Sequence, residues 1–250
     1  MGTGIRSEAP DRVGTLMSDR GEVRNMKRTA CIVTGLVIVL LAGLVLSPRY
    51  LVYADRPAQS DIVVLFTGPS GDSRLREARL IVQEGYSDYL FIPALFSLCR
   101  TNHDRTRFID IWFTDIKPGI NIPQPRKGNA MSIEYFRKIR SDYYFPRFYE
   151  DTHAEILLAK KAMDACGFKS AIFISSPFHM RRIKIITDRV FDSSYDIKLV
   201  PSRFEKKDVA PVPSQQDLQH VFTEFPKMVW FLCYDLWDRS NGANQIKAAQ

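Results

Sequence analysis

DIVVLFTGPSGDSRLREARLIVQEGYSDYLFI, residues 61–92, is the stretch that decides the fold. Ile62, Val63, Val64, Leu65 and Phe66 form a continuous apolar run rich in β-branched residues. Such a run suits a strand buried on both faces, as in a parallel sheet. It gives way to a turn-rich loop from Gly68 through Gly71 to Ser73. From Arg74 to Glu84, Leu75, Ala78, Leu80 and Ile81 share one side of a helix, and Gly85 supplies a stop. Tyr89 to Ile92 reads as a second strand. Strand, loop, helix and strand make up the unit of a doubly wound α/β sheet.

Toward the C-terminus, Phe108 to Phe113 reads as a strand. Residues 117–128 hold three prolines and two glycines, which predicts irregular chain. Residues 129–140 read as helical. Asp151 or Thr152 caps a helix that buries Ile156, Leu157, Ala159 and Met163, ends near Cys166 and stops at Gly167. Ala171 to Ser175 is another buried strand. Ser176 then caps a helix with Pro177 at its first position, where the missing N–H costs nothing. That helix carries His179, Met180, Arg182, Ile183 and Ile186. Asp196 to Val200 is a further strand, and Gln215 to Asp238 reads as an amphipathic helix with Phe222, Phe225, Val229, Leu232 and Leu236 inward.

Toward the N-terminus, Thr29 to Leu46 (TACIVTGLVIVLLAGLVL) is eighteen residues without a charge. At helical rise it spans roughly 27 Å, close to a bilayer's hydrocarbon thickness. Anchor and cleaved signal peptide compete. Signal cores run about 7–15 residues, which favours the anchor. On the other side stand the small-residue pattern Val52-Tyr53-Ala54 and a signal-like start at Met26. Arg12, Arg20, Arg24, Lys27 and Arg28 precede the segment, and only Arg49 and Arg56 follow closely, so the N-terminus is expected in the cytoplasm. The expected organisation is a disordered cytoplasmic tail (1–28), a transmembrane helix (29–47), an α/β domain (55–238) and a disordered tail (239–250).

The 250 residues carry a formal charge of +7, with 45% hydrophobic and 25% charged residues, an ordinary globular balance that favours anionic partners. No basic run exceeds two residues and no zinc-finger or RNA-binding signature occurs, so no nucleic-acid partner is expected. Cys31, Cys99, Cys166 and Cys233 form no Cys-x-x-Cys pair, which argues against a zinc site; one disulfide stays open in an oxidising compartment.

In open parallel sheets, ligands bind beyond the carboxyl ends of the strands. Three segments reach that edge. Thr67, Gly68 and Gly71 can bring backbone N–H groups to an anion, with Arg74 opening the next helix. Glu150 to Glu155 offers Asp151, Thr152 and Glu155 at a helix start, or merely a solvated capping segment. Ser175 and Ser176 precede His179 and Arg182, neighbours on one helical face in a first turn that favours an anion and disfavours a protonated imidazole.

These segments carry a resemblance. Residues 151–183, DTHAEILLAKKAMDACGFKSAIFISSPFHMRRI, are similar to a block of the YdcF-like family whose pattern ends Ser-x-Tyr-His-Met-x-Arg-Ala. Ser176, Phe178, His179, Met180 and Arg182 fall on it, with Phe178 for the usual Tyr. SDIVVLFTG with Arg74, Ala78 and Gly85 resembles the family's opening, and Glu224 and Lys227 match its Glu-x-x-Lys pair in the closing helix. Departures are GPSGDS for the glycine pair after the first strand, Pro93-Ala94 for Ser-Gly after the second, and Glu155 for an Asn.

The resemblance implies a Rossmann-like domain, mostly parallel and flanked by helices, set outside a bacterial inner membrane and linked to peptidoglycan or polyprenyl-phosphate carrier metabolism. It also implies S-adenosylmethionine as a possible cofactor. The leading expectation is a binding protein or enzyme for a phosphorylated, lipid-linked envelope intermediate. His179 would be the acid or base, Arg74 and Arg182 would hold phosphate oxygens, and Asp151 or Glu155 would orient His179 or water. The alternatives are a domain binding S-adenosylmethionine or a nucleotide, and a non-catalytic envelope scaffold.

Overall fold

The computed structural model describes residues 31–39, 41–43, 45–68, 71–120, 122, 145–205 and 213–240. The expected N-terminal tail, the helix over 129–140 and the tail beyond Ser240 lie outside them. The chain divides into two compact units, Met1–Leu46 and Ser47–Gln250. Helix α1, Cys31–Leu51, has a mean hydropathy of 2.5, and little of it is buried. Among the described residues it is the one helix long and apolar enough to cross a membrane.

The second unit is an α/β fold. Its elements are β1 (Ile62–Leu65), α2 (Gly71–Gln83), β2 (Tyr89–Ile92), β3 (Ser97–Thr101), β4 (Phe108–Asp110), the short α3 (Phe113–Ile116), α4 (Asp151–Cys166), β5 (Ser170–Ser175), α5 (Met180–Val190), β6 (Asp196–Pro201) and α6 (Gln215–Ser240). The six strands lie in the order β4-β3-β2-β1-β5-β6. β2, β1, β5 and β6 run parallel, while β3 and β4 are antiparallel additions. All four β1 residues are buried, as a strand covered on both faces requires.

Alternation sorts the β1 and β5 side chains between two cores. Val63, Leu65, Ile172 and Ile174 pack with Ala78, Ile81 and Val82 of α2. Ile62, Val64, Ala171 and Phe173 face α4, α5 and α6 through Ile156, Met163, Met180, Ile183, Ile186 and Phe231. On that side Phe66 meets Phe173 edge-on, with centroids 5.2 Å apart. Such a ring pair adds about 0.5–1.5 kcal/mol beyond its buried area. The chain winds outward from β1 to β2 over one face and from β5 to β6 over the other, so the strand order turns back between β1 and β5. At the opposite edge, Asp61 Oδ2 accepts from the backbone N–H groups of Lys169 and Ser170, each at 2.8 Å, and fixes the β1–β5 register.

Several expectations are corrected. Directly after β2, where the sequence predicts no element, the sheet continues. Pro93–Leu95 form one 3-10 turn, Phe96 takes a left-handed conformation (φ 47°), and the chain returns as β3. The strand expected over 108–113 ends at Asp110, because Phe113 opens α3 and is buried against Phe91 and Phe96. The cap of α4 is Glu150 rather than Asp151 or Thr152, and neither it nor Ser176 makes a side-chain capping bond. Gly85 and Gly167 stand at positive φ (91° and 80°) behind α2 and α4, as the stop reading requires.

The register of α6 is the largest correction. Phe222, Val229 and Leu236, expected inward, face out, while Val221, Glu224, Met228, Phe231 and Tyr234 are buried. All four cysteines are free.

Candidate functional site

The carboxyl ends of β1 and β5, where the strand order reverses, collect most of the residues singled out from sequence. Beyond β1, Thr67 is half-buried and Gly68 lies against Arg74. A Cβ on Gly68 would stand 2.4 Å from Arg74 Nη1, so the guanidinium occupies the space a side chain would fill. Arg74 is buried in the first turns of α2, which Gly71 opens. Its Nη1 donates to the Phe66 carbonyl at 3.2 Å, and its Nε donates to Glu205 at 3.0 Å. Among the described residues nothing accepts from Nη2.

Beyond β5, Ser175 and Ser176 are buried. Alternation puts Ser175 on the face of Ala171 and Phe173, the side of α4 and α5. Its Oγ has no hydrogen-bond partner among the described residues. Pro177–His179 make one 3-10 turn before α5 begins, so His179 precedes the helix rather than lying inside it.

Arg182 is the hub. It is buried, and its Nε donates to Glu224 Oε2 at 2.6 Å. Its Nη1 donates to both Glu150 Oε1 and Thr152 Oγ1. Glu224 also approaches His179 Nε2 at 3.5 Å and Lys227 Nζ at 3.8 Å. Burial opposes both charges, yet Arg182 holds the Glu224 carboxyl below its usual range, and Glu150 and Glu224 raise Arg182 above its own. This guanidinium is saturated by carboxylates, which makes it a strut between α4, α5 and α6 and not an open phosphate clamp.

Glu155 and His179 are pushed the other way. Burial lifts the Glu155 carboxyl to about 8, helped by the charges of Glu150 and Asp151 and opposed by Arg182 and Arg74. Burial also drives His179 down to about 3; Glu224 opposes, while Arg182, Arg74 and Lys227 add to the fall. At neutral pH the site therefore holds a protonated carboxylic acid and a neutral imidazole, and the His179–Glu224 approach is not a charge pair. Arg74, Arg182 and Lys227 stand against Glu150, Glu205 and Glu224, so the cluster is close to neutral. Asp151, exposed at the first residue of α4, acts on it through charge.

Sequence reading missed Glu205, just beyond β6, and undervalued Glu150. The sheet order alone brings Glu205 to Arg74. Glu150 is held by Tyr234, whose hydroxyl accepts from the Glu150 N–H at 3.3 Å and meets His153 Nδ1 at 3.0 Å. Tyr149 stacks on both rings, at 4.5 Å from His153 and 5.2 Å from Tyr234. The second Glu150 oxygen, Oε2, is buried without a partner among the described residues. Among those residues no group of three or more His, Cys, Asp or Glu is placed to hold a metal ion.

Comparison with protein families, curated proteins and solved structures finds no match. The functional reading rests on the residues themselves. They bring together a guanidinium packed against the Gly68 backbone, with an N–H edge that nothing among the described residues accepts from, an acid that keeps its proton, and a neutral ring able to take one. Ser175 Oγ and Glu150 Oε2 are buried with no hydrogen-bond partner among the described residues. Such a set can hold an anion and move a proton on and off an oxygen.

Proposed function

We propose that this chain is a membrane-anchored, Rossmann-like protein of the YdcF-like family that binds or processes a phosphorylated ligand of the cell envelope. It would stand in the bacterial inner membrane with its N-terminus cytoplasmic and its domain outside. The observation that carries the reading is the pairing of Arg74, packed on Gly68 at the β1 edge, with a protonated Glu155 and a neutral His179 where the strand order reverses. Open α/β sheets take their ligands at such points. A phosphate oxygen would replace Glu205 on Arg74 and accept from backbone N–H groups at the first turn of α2.

The bilayer enters through packing. Leu51, the last residue of α1, shares a cluster with Phe178, next to His179 in the chain. A ligand carried by the membrane that α1 spans would thus have a short path to the crevice. A polyprenyl-phosphate-linked intermediate fits that position.

In a hydrolytic version, water attacks phosphorus and gives its proton to His179, while Glu155 gives its proton to the departing oxygen. The Glu155 carboxylate so formed is stabilised by Arg182 and Arg74. A bound phosphate would raise the His179 pKa by its own charge, which turns a poor base into a competent one only when the ligand is present. Saturation of Arg182 by carboxylates favours a second reading, a non-catalytic scaffold whose network only stiffens the domain.

The test is calorimetric titration of the full chain in detergent with a polyprenyl phosphate, inorganic phosphate and S-adenosylmethionine. Phosphate binding that weakens at least about tenfold, ~1.4 kcal/mol, in Arg74→Ala and His179→Ala supports the proposal. Equal affinity in both variants, or no phosphate binding, overturns it. Heat with S-adenosylmethionine alone would transfer the site to the cofactor reading.

A further inference from the structure

The outward side of α6 is apolar over four turns. Phe222 is 69% exposed, Val229 56%, Trp230 50%, Leu236 62% and Trp237 57%. Pro226 and Cys233 are exposed between them, and Thr223 is the one polar residue among these outward positions. At 3.6 residues per turn these residues fall in one sector of about 140°. The inward side carries the buried Val221, Met228, Phe231 and Tyr234 together with the ion-paired Glu224. With one apolar side already buried in the domain, a second apolar side on the same helix is suited to a further apolar contact, not to water.

The start of this stripe lies where α1 ends. The Tyr50 ring stands 5.9 Å from Phe225, and Leu51 packs with Val221 and Met228. Tyr50 is itself 48% exposed. Arg181 lies over its ring at 4.5 Å and donates to its carbonyl at 2.8 Å. Arg49, exposed, is the preceding residue. An exposed Tyr50 beneath Arg181 at the last turn of a helix able to span a bilayer, with Phe222, Trp230 and Trp237 exposed along α6, has the composition of the membrane–water boundary.

We propose that the outward face of α6 is a second membrane contact, seated in the headgroup layer of the leaflet in which α1 ends, with lipid as its occupant. The inference depends on α1 spanning the bilayer and not on what the crevice binds. Lipid is favoured over a second copy of the chain because the stripe adjoins the end of α1 and its basic flank suits anionic headgroups. A helix held this way would also fix the crevice relative to the membrane plane, since Glu224 and Lys227 lie on the same helix.

The chain's three tryptophans make the test direct. In a Trp112→Phe variant of the full chain, only Trp230 and Trp237 remain. Placed in nanodiscs containing phosphatidylglycerol, they should emit to the blue and lose emission when the lipid acyl chains are brominated near the carbonyl, while aqueous iodide does little. Red emission quenched by iodide and indifferent to bromine would mean water covers the face, and would overturn the proposal. Blue emission indifferent to both would mean protein covers it, another copy or another part of this chain, and would overturn it equally. Should Trp112→Phe not fold, the drop in bromine quenching from the unaltered chain to Trp230→Phe and Trp237→Phe gives the same answer. A failed ligand titration leaves this outcome untouched, and the reverse also holds.

Discussion

Replacing Glu155 with Gln should stabilise the domain at pH 8 and leave it almost unchanged at pH 4.5. The folded carboxyl titrates near 8 against its usual 4.5, with burial as the main cause. Between those values the folded protein keeps a proton that the unfolded chain has released. Stability from this group is therefore fully present below 4.5 and is lost as pH rises through 8. At about 1.4 kcal/mol per unit, the whole gap would be worth about 5 kcal/mol, and relaxation around a buried charge brings that to roughly 2–4. Glutamine copies the protonated acid in shape and has no charge to acquire. For a domain of this size a gain of that order raises Tm by roughly 5–15 °C. Thermal unfolding of the full chain in detergent, followed by near-UV circular dichroism from pH 4.5 to 8.5, reads the difference. A Tm gap equal at both ends, or a Gln variant less stable at pH 8, would refute the reasoning. Glu155 would then be ionised in the folded protein and could not serve as an acid.

Other substitutions test the rest of the cluster. Arg182→Ala strands Glu224 and Glu150 without their cation and should cost about 3–5 kcal/mol in denaturant unfolding, with Arg182→Lys losing less. Gly68→Ala should move the Arg74 guanidinium, since the new Cβ would lie 2.4 Å from Nη1. Stability should change by no more than about 1 kcal/mol while phosphate affinity in calorimetry falls. His179 should show no imidazole titration between pH 5 and 7 by NMR, because its pKa lies near 3. Its contribution to stability is present above the usual 6.5 and is lost as pH falls toward 3; an ordinary midpoint near 6.5 would contradict the buried, cation-flanked ring.

Much of the sheet was legible because its central strands obey a simple rule. Ile62–Leu65 and Ala171–Ile174 are apolar on both faces, and only a covered parallel sheet asks for that. β3 was not legible. Ser97-Leu98-Cys99-Arg100-Thr101 lacks a β-branched run, and it becomes a strand only because the turn at Pro93–Phe96 folds it onto β2. The stripe of α6 was read only in part for a related reason: Phe225 and Leu232 pack against the domain, while Phe222, Val229 and Leu236 face out. With apolar residues on every side, periodicity cannot tell the face against the domain from the face against its surroundings. Arg74, His179, Arg182 and Glu224 were legible as residues, but the partners that set their charge were not. Glu205 reaches Arg74, and Glu150 reaches Arg182, across 131 and 32 positions of sequence.

The burial of Leu51 bears on what cleavage of the chain just after α1 would do to the domain. A peptidase cutting after Ala54 would carry away a side chain that is 0% exposed and that fills the space among Phe178, Val221 and Met228. The freed domain would keep Asp55, bonded to the Leu199 backbone at the edge of β6, but would have a hole beside the turn that sets His179. Secretion would thus damage the crevice. The last turn of α1 is part of the domain's wall.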